Sequence, residues 1–518
     1  MKHSLLFFAT ILPLLLAGQP RFNDFEVELG PFFKVSKRSV PVAFIGADPS
    51  GFYLTYARGK TGLGKRSIAK FGYNLQLIEE LELSQTLGGV LAYSKTAFII
   101  DNKLFHFLVS TDYSKQKIYL QEIDKQNMKC QEAQLVTTIS DVRSSYYSDS
   151  FVRFASDSSY LAYIYTIPNR KKDKEKIGIH VFNRKMEEQW NRQFELPYTN
   201  KLLDLETYRV DTGGGVHVLG KRYYDKRKDE RNNEVNYDYL LFSLDRTGTI
   251  DSFKIETEGK YFRDMQVDFS ERGDIISAGF YSDKGSAFAG GAYYLRIDTS
   301  TWETITSSFK EFEMDFITQN MRSGKAERLK KKIEKGKDVE LPFFHIDEFI
   351  VGDDGSTQII AEKRLIYTTT TYTQNGVITN THYDYDDIMV LDIDAEGVIQ
   401  WASRVAKNQH TVNDRAAYSS YSTAKKGDDL FLLFNDNVEN LNYAGVGRVA
   451  PMSKNSATMV MVNRLDSGGN SERFALFDRG EVGTKIRPVL SRQVSYDEML
   501  LFGHKGLKTQ RFILLKLK

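Results

Sequence analysis

A strand–turn–strand unit that recurs along the chain is the feature that most constrains how this sequence can fold. In its clearest copy, residues 387–401, an apolar strand enters an acidic turn closed by Gly397, and a second strand ends at Trp401. Eight versions of the unit occur, and the last, residues 511–518, stops before its turn. Self-similarity of this kind predicts a repeat architecture.

A second strand pair precedes each copy of the first. Its turns use Gly, Asp, Asn and Ser, as in residues 44–54, 154–161 and 213–215, because these residues tolerate left-handed backbone or bond their own main chain. The two patterns alternate, giving four short strands per unit at a period of about 50 to 60 residues, which is typical of a β-propeller blade. A parallel β-helix would need shorter units, and a string of sandwiches would not keep one phase.

We therefore predict an all-β fold: an eight-bladed propeller with four antiparallel strands per blade, formed by residues 19–518 as a single domain. Seven blades are the alternative if one unit is irregular. The last unit supplies only three strands, at about 486–490, 498–503 and 510–517, so residues 25–34 are predicted to provide its fourth. Pairing the two ends of the chain in one blade removes exposed sheet edges.

Residues 1–18 have the layout of a secretory signal peptide. Lys2 and His3 precede an apolar run from Leu5 to Leu16 that is too short to span a bilayer comfortably. Residues 16–19 resemble a lipoprotein box with Gln19 where the lipidated cysteine would be. We expect a cleaved, exported chain, periplasmic or extracellular; a buried N-terminal strand is the alternative. No later stretch is apolar enough to predict a transmembrane segment.

Charge and cysteine content narrow the classes of partner. The chain has 70 Lys and Arg against 68 Asp and Glu, so no global field favours nucleic acid. Cys130 is the only cysteine, which excludes disulfides within the chain and metal sites built on paired cysteines. We interpret Cys130 as structural and expect a monomer.

The unit at residues 390–401 resembles the repeat of bacterial quinoprotein-type propellers. That superfamily includes quinone-dependent dehydrogenases and the propeller lipoprotein of outer-membrane assembly, so the resemblance implies an exported propeller. Most other units lack the tryptophan. The three tryptophans, Trp190, Trp302 and Trp401, are all predicted to lie on the fourth strand of a blade, just after its turn, and to pack between blades.

The long connections are expected on one face of the propeller, because they fall between the second and third strands of a blade or between blades. Loops on a rigid scaffold are where binding usually lies. Residues 169–176 form a basic loop, residues 223–233 a basic loop with two tyrosines, and residues 367–387 a projecting hairpin that turns at Asn375-Gly376. The predicted ligand-binding residues on these loops are Tyr223, Tyr224, Arg227, Tyr372, His382 and Asp384.

The insertion at residues 310–343 is the one predicted helical region. Met321, Lys325, Leu329 and Ile333 recur at four-residue steps, and residues 322–338 hold eight Lys and Arg against three acids. A basic amphipathic helix suits an anionic partner. The predicted partner-binding residues are Lys330, Lys331 and Lys332. The alternative is a solvated helix that lies over the propeller face without a partner.

No pattern of catalytic residues is identified, and no catalytic residue is nominated. His382 and the carboxylates Asp384, Asp386 and Asp387 could suit calcium, but they lack the spacing of a helix–loop–helix calcium site, so no metal or cofactor is predicted and calcium stays open. There is no nucleophile elbow, and residues 213–215 form a turn rather than a phosphate-binding loop.

The sequence thus favours a binding or scaffolding module for a protein, peptide or glycan at the cell envelope. An enzyme with its site at the mouth of the central channel is the alternative, either a quinone-dependent dehydrogenase or a glycan-active enzyme. A purely structural envelope protein is the third possibility.

Overall fold

The computed structural model describes residues 21–22, 25–34, 39–58, 65–112, 114–140, 149–231, 234–283, 288–321, 323–333, 341–342, 344–374, 376–445, 447–452, 458–505 and 509–518. The predicted signal peptide, residues 1–18, lies outside this part of the chain. So do Asn375 and residues 334–340.

Alternating apolar residues form short strands that assemble into sequential four-stranded antiparallel sheets. Three strands precede the first complete sheet: β1 (Arg21–Phe22), β2 (Phe25–Leu29) and β3 (Phe33–Lys34). Blades 1 to 4 then follow in chain order, with β8, β19 and β20 as additions to the four-strand plan: β4 (Ser39–Asp48), β5 (Gly51–Arg58), β6 (Arg66–Phe71), β7 (Leu77–Glu82); β8 (Thr86–Leu87), β9 (Val90–Ile100), β10 (Lys103–Asp112), β11 (Lys115–Asp124), β12 (Lys129–Ile139); β13 (Ser150–Phe154), β14 (Tyr160–Thr166), β15 (Lys174–Asn183), β16 (Glu188–Thr199); β17 (Leu203–Val210), β18 (Val216–Tyr223), β19 (Glu230–Arg231), β20 (Glu234–Val235), β21 (Tyr237–Leu244), β22 (Ile250–Ile255).

Blades 5 to 8 follow the same plan, with two helices between blades 5 and 6. Their elements are β23 (Tyr261–Phe269), β24 (Ile275–Ser282), β25 (Phe288–Ala289), β26 (Gly291–Ile297), β27 (Thr304–Glu311), α1 (Met314–Thr318), α2 (Ser323–Ile333), β28 (Leu341–Pro342); β29 (Phe344–Val351), β30 (Thr357–Thr373), β31 (Gly376–Ile393), β32 (Ile399–Val405), β33 (Gln409–Val412); β34 (Ser422–Lys426), β35 (Asp429–Asn437), β36 (Thr458–Leu465), β37 (Ser471–Asp478); α3 (Arg479–Val482), β38 (Lys485–Ile486), β39 (Arg492–Gln493), β40 (Glu498–Lys505), β41 (Thr509–Leu517). Single 3-10 turns lie at Val438–Asn440 and Pro488–Leu490. Among the described residues, no helix is long and apolar enough to cross a membrane.

The hydrophobic core is divided among the interfaces between blades. The described residues form eight clusters of buried side chains, and each joins two neighbouring blades: 1–2, 2–3, and so on to 7–8 and 8–1. The cluster between blades 8 and 1, which includes Phe512 and Phe71, closes the ring. The predicted eight-bladed, all-β propeller is therefore confirmed, because a sheet that is apolar on both faces must be covered on both.

The predicted pairing of the two chain ends is also confirmed. β2 lies beside β41, with Phe25 opposite Leu517 and Leu29 opposite Ile513, and so forms the fourth strand of blade 8, with the two-residue β1 paired on its far side. Phe25 is 1% exposed and meets Phe431 of blade 7 edge to face at 5.3 Å. The first strand of blade 8 is interrupted, as β38 and β39, by the turn at residues 488–490.

The connections divide cleanly between the two faces of the ring, as predicted. Tight turns join strands 1 and 2 and strands 3 and 4 of each blade on one side, here named the turn face. The longer connections, including α1 and α2, emerge on the opposite side, here named the loop face. Many turns are closed by an aspartate that accepts a hydrogen bond from the N–H two residues on, as Asp245, Asp354 and Asp466 do.

The tryptophans pack between blades, with one correction to their predicted positions. Trp190 and Trp401 lie on fourth strands, β16 and β32. Trp302 instead lies in the turn before β27, with φ of 59°, and stacks on Phe253 of blade 4. Trp401 covers Gly469 of blade 7, where a Cβ atom would lie 2.5 Å from the indole ring, so this close approach requires glycine.

Candidate functional site

A two-stranded arm projects from blade 6 on the loop face. β30 and β31 contain 17 and 18 residues, whereas the last pair between β30 and its inner neighbour β29 is Lys363 with Phe344. Beyond that point the arm, residues 364–387, continues as a hairpin. Its outer side chains are exposed, to 81% for Tyr372, 60% for Val377 and 54% for Ile366. This confirms the projecting hairpin; the turn type at Asn375 lies outside the described residues.

At the base of the arm, His382 and Asp384 lie on one face of the hairpin with His410 of β33. The His382 ring stacks on Tyr367 at 4.7 Å, and its Nε2 lies 2.7 Å from Thr369 Oγ1. The Nδ1 atom of His410 lies 2.5 Å from Asp384 Oδ1. The structure thus brings together two of the six predicted ligand-binding residues, with a third, Tyr372, at the end of the same arm.

The carboxylates near His382 already have separate basic partners. Asp386 lies 2.9 Å from Lys363, Asp387 lies 2.6 Å from Arg404, and Asp384 contacts His410. A bulge at the point where Asp386 and Asp387 face Lys363 separates them from the regular hairpin. Within the described part of the chain, no group of three or more His, Cys, Asp or Glu side chains is arranged to hold a metal ion.

The predicted residues of the blade-4 loop have three different environments. Tyr223 is 7% exposed and packs between blades 4 and 5, so its ring supports the loop from beneath. Tyr224 is 47% exposed, and its hydroxyl donates to Asp238 at 2.8 Å. Arg227 donates to three backbone carbonyl oxygens, those of residues 200 and 201 in the neighbouring connection and of residue 203 at the start of β17, and therefore attaches the loop to the ring. Of the three, Tyr224 offers an accessible ring.

Helix α2 lies in the predicted helical insertion and exposes its basic residues. Lys331 and Lys332 are exposed, and Lys330 forms an ion pair with Asp315 at 3.2 Å. Leu329 is half-buried against the cluster between blades 5 and 6, which attaches the helix to the ring. Over Ser323–Ile333 the helix holds five basic residues and one acidic residue.

Charge is distributed unequally between the two faces. Between the blade strands on the loop face, with the helices and the short β19–β20 hairpin counted, the described residues include 20 Lys and Arg against 15 Asp and Glu. In the turns of the opposite face the corresponding numbers are 5 and 16. A nearly neutral chain therefore has a positive loop face and a negative turn face, and such a field attracts anionic partners to the loop face.

Sequence reasoning did not identify a group of carboxylates near the ring axis. The first strands of the blades lie innermost, and three consecutive ones, β17, β23 and β29, carry a β-bulge. The bulges of β17 and β29 lie at the same distance from the turn, and that of β23 lies two residue pairs farther from it. The bulged residues are Glu206, Arg263 and Asp347, and Asp264 and Glu348 follow directly after two of them. A bulge re-aims a side chain, and bulges are frequent beside functional sites.

Asp264, Asp347 and Glu348 link neighbouring blades. Asp264 accepts from the Ile346 N–H of blade 6 at 2.8 Å. The Tyr421 hydroxyl, in the connection before blade 7, donates to Asp347 at 3.1 Å. The Thr423 hydroxyl, in blade 7, donates to Glu348 at 2.6 Å. Their first effect is therefore structural, because each bond fixes one inner strand against the next.

Two of these groups titrate near neutrality. Removal of bulk water by the surrounding protein raises the pKa of Glu206 to about 7, although Lys221 acts in the opposite direction. The same cause raises the pKa of Asp347 to about 7, against the effect of Arg364 at 3.0 Å. Both residues keep contact with solvent. Carboxyl groups of this kind can give or take a proton at neutral pH.

The bulges leave only a weak trace in the sequence. Acidic residues in Leu205-Glu206-Thr207 and Ile346-Asp347-Glu348 interrupt inner strands that otherwise alternate apolar and polar residues. Aligning the first strands of all blades would have superimposed Glu206 on Asp347. Their shared raised pKa depends on neighbours from other strands, which no local pattern contains.

Comparison with known proteins gives structural likeness only. No protein-family model matches the chain, and no curated protein matches it in sequence. Among solved structures it is similar to the WD40 domain of SCAP from fission yeast, with 7% identity, a TM-score of 0.43 and coverage of 95% of this chain and 94% of that one.

Two carbohydrate-active proteins are also among the similar structures. Polysaccharide lyase Uly1 has 9% identity and a TM-score of 0.37, with 94% of this chain and 99% of that chain covered. The α-L-arabinofuranosidase Arb93A from Fusarium graminearum has 9% identity and a TM-score of 0.32, with 75% and 98% covered. At such low similarity these likenesses carry no argument about function, and the quinoprotein-type resemblance remains a prediction.

Proposed function

We propose that this chain is an exported β-propeller that binds an acidic protein, peptide or glycan of the cell envelope through its loop face. The observation that carries the proposal is the concentration of positive charge, α2 and the arm on one face of a rigid ring. Because the opposite face consists of short acidic turns, an anionic partner is attracted to one side and repelled from the other.

Each element contributes a different kind of contact. Lys331 and Lys332 on α2 supply charge, while Tyr372 and Tyr224 supply exposed aromatic rings. Aromatic side chains give large contact areas at low conformational cost. His382 and Asp384 are available at the base of the arm for hydrogen bonds with a bound peptide or glycan.

Export to the periplasm or beyond the cell rests on the layout of residues 1–18. We expect the mature chain to begin close to Gln19. Mass spectrometry of the N-terminus, combined with cell fractionation, tests this expectation. A full-length chain retained inside the cell would contradict it.

A capture experiment tests the proposed loop-face binding. The purified chain is used to capture partners from envelope extract, beside the triple variant Lys330→Gln, Lys331→Gln, Lys332→Gln. A matched variant removes three exposed basic residues from the turn face: Arg184→Gln, Lys185→Gln and Arg246→Gln. Of the two triple variants, we expect only the α2 variant to lose partners. The wild type should also release its partners as the salt concentration rises from 0.05 to 0.5 M, because salt screens the charges. A variant that lacks residues 321–333 is tested in the same way. If the α2 triple variant and the deletion variant both capture the same partners as the wild type, the proposal is contradicted.

The carboxyl groups near the axis favour a second candidate, an enzyme that acts on glycans at the channel mouth. Glu206 and Asp347 lie at equivalent bulges, stay in contact with solvent and have pKa values of about 7. Acid–base catalysis on a glycosidic bond needs one protonated and one ionised carboxyl group, and two groups with pKa values near 7 can supply both states.

Reducing-end release from a panel of acidic and neutral polysaccharides tests this second candidate. Activity should disappear in Glu206→Gln and in Asp347→Asn and persist in Glu439→Gln, which alters an exposed loop-face carboxylate. The absence of any product from the wild type at pH 5 to 8 would leave the binding module as the function.

A further inference from the structure

The arm has one edge with no partner strand among the described residues. β29 pairs with β30 only as far as Lys363, whereas β30 continues for ten more residues, Arg364 to Thr373. On the other side of the arm, β31 is partly covered, because His382 to Tyr385 pair with β33. The edge of β30 on the side of β29, here named the free edge, thus directs its backbone N–H and C=O groups toward solvent.

This edge lacks the features that usually protect an exposed strand. From Leu365 to Tyr383 the sequence contains no Lys, Arg, Asp, Glu or Pro, although 27% of the whole chain is charged. Residues 368–371 are four consecutive threonines, which favour extended backbone. Charges, prolines and bulges are the ordinary means of preventing edge pairing, so an edge without them is suited to pairing.

We propose that the free edge of β30, residues 365–373, pairs antiparallel with the same edge of a second copy of this chain. The two arms would form one four-stranded sheet around a two-fold axis perpendicular to it. With the axis at Thr369, Ile366 lies opposite Tyr372 of the second copy and Thr368 lies opposite Thr370. Aromatic–aliphatic and Thr–Thr neighbours are favourable cross-strand pairs.

A second copy suits this edge better than a charged partner does. Identical neutral edges meet without repulsion, and a two-fold contact closes after two chains, so no fibre forms. The arm projects roughly 33 Å for ten extended residues, which lets two arms meet while the rings stay apart. A single strand edge is smaller than the standard interface of about 800 Å² per partner, so the dimer is weak, with a dissociation constant on the order of micromolar.

This inference replaces the sequence-based expectation of a monomer and is independent of the basic residues on α2. Failure of the capture experiment would leave it unaffected, because self-association needs no extract. Conversely, a chain that stays monomeric could still bind an envelope partner through the loop face.

Sedimentation velocity of the full chain between about 1 and 100 μM tests the pairing, across the micromolar range expected for a weak interface. We expect a concentration-dependent dimer. Thr369→Lys places two like charges at the two-fold axis and should weaken the dimer at least tenfold. Thr379→Lys, on β31 of the same arm, is the matched control and should leave it unchanged. A monomer at all concentrations, or equal behaviour of the two variants, overturns the proposal.

Cross-linking checks the register independently. In a Cys130→Ser background, Thr369→Cys places two thiols across the axis, where antiparallel Cα atoms are about 4.5–5.5 Å apart and a disulfide can form. Oxidation should convert this variant to a covalent dimer much faster than the Thr379→Cys variant. Equal rates for the two would contradict the proposed register. Matching thermal unfolding curves verify that all variants are folded.

Discussion

Lys407 and Glu362 form an ion pair that is completely removed from solvent. The Lys407 Nζ atom lies 2.5 Å from Glu362 Oε1 and also donates to Gln409 and to the Tyr385 carbonyl. Glu362 accepts a further hydrogen bond from Ser420. These contacts join blade 6 to the connection that leads into blade 7, so the polar groups at this interface replace part of its apolar packing.

Removing one member of this pair should destabilise the ring strongly. Lys407→Met leaves the Glu362 carboxylate buried without its cation, and we expect a loss of about 3–5 kcal/mol in the free energy of unfolding. The double variant Lys407→Met, Glu362→Met removes both charges and should recover part of that loss. Urea denaturation measures both. A cost below about 1 kcal/mol for the single variant would be incompatible with the buried pair.

The pKa values of Glu206 and Asp347 predict how stability depends on pH. The surrounding protein, by displacing bulk water, raises the pKa of both groups to about 7 in the folded chain, whereas the unfolded groups titrate near their ordinary values of about 4. Between these limits the folded state binds more protons than the unfolded state. The contribution of these groups to stability is therefore greatest at the acidic end and falls as pH rises toward 7.

We expect the melting temperature of Glu206→Gln to fall less between pH 5 and pH 7.5 than that of the wild type. The uncharged amide removes one of the groups whose raised pKa contributes to this slope. Asp283→Asn, which alters an exposed loop carboxylate, is the control and should keep the wild-type slope. Scanning calorimetry at several pH values measures the melting temperature of each protein. The same change of melting temperature with pH in all three proteins would falsify the prediction.

At the scale of elements, the arm extends from blade 6 and is not part of its core. None of the residues from Arg364 to Asp387 belongs to the buried clusters on either side of this blade. The strands that do belong to them end at Ala361 and begin again at Ile388. Beyond its base, residues 365–383 add no side chain to these clusters yet expose tyrosine and isoleucine, and exposed apolar side chains of this kind suit contact with another molecule.

Replacing residues 368–381 by Asn-Gly should therefore leave the ring intact. We expect the free energy of unfolding to change by less than about 1 kcal/mol, because no buried apolar contact is lost. The same variant should lose self-association. Chemical denaturation and sedimentation measure the two effects, and a stability loss above about 2 kcal/mol would show that the arm supports the fold.

At the scale of the whole molecule, closure depends on a strand far from blade 8 in the sequence. β2 contributes Phe25 and Val27 to the cluster between blades 7 and 8, and both are buried. Without this strand, the outer edge of β41 and one face of the cluster would be open. A ring fold is cooperative at this point, because every blade relies on two neighbours.

Phe25→Ala is expected to cost about 3–5 kcal/mol of stability, since it removes a fully buried ring from a closed interface. Phe32→Ala serves as the comparison, because Phe32 is 44% exposed, and it should cost about 1 kcal/mol or less. Thermal and urea unfolding measure both variants. Similar costs for the two would indicate that β2 does not close the ring.

The alternation of two strand pairs determines the blade plan, the number of blades and the face on which the long connections lie, because adjacent residues encode strand periodicity and turn chemistry. The hairpin at Tyr372 and the helix at Lys330 are predictable for the same reason. Tertiary structure decides that Tyr223 is buried while Tyr224 is not, and that Arg227 binds backbone. It also brings Glu206 and Asp347 to the axis and leaves the edge of β30 uncovered. Burial, pKa and strand pairing depend on atoms from distant parts of the chain, and these meet only when the ring closes.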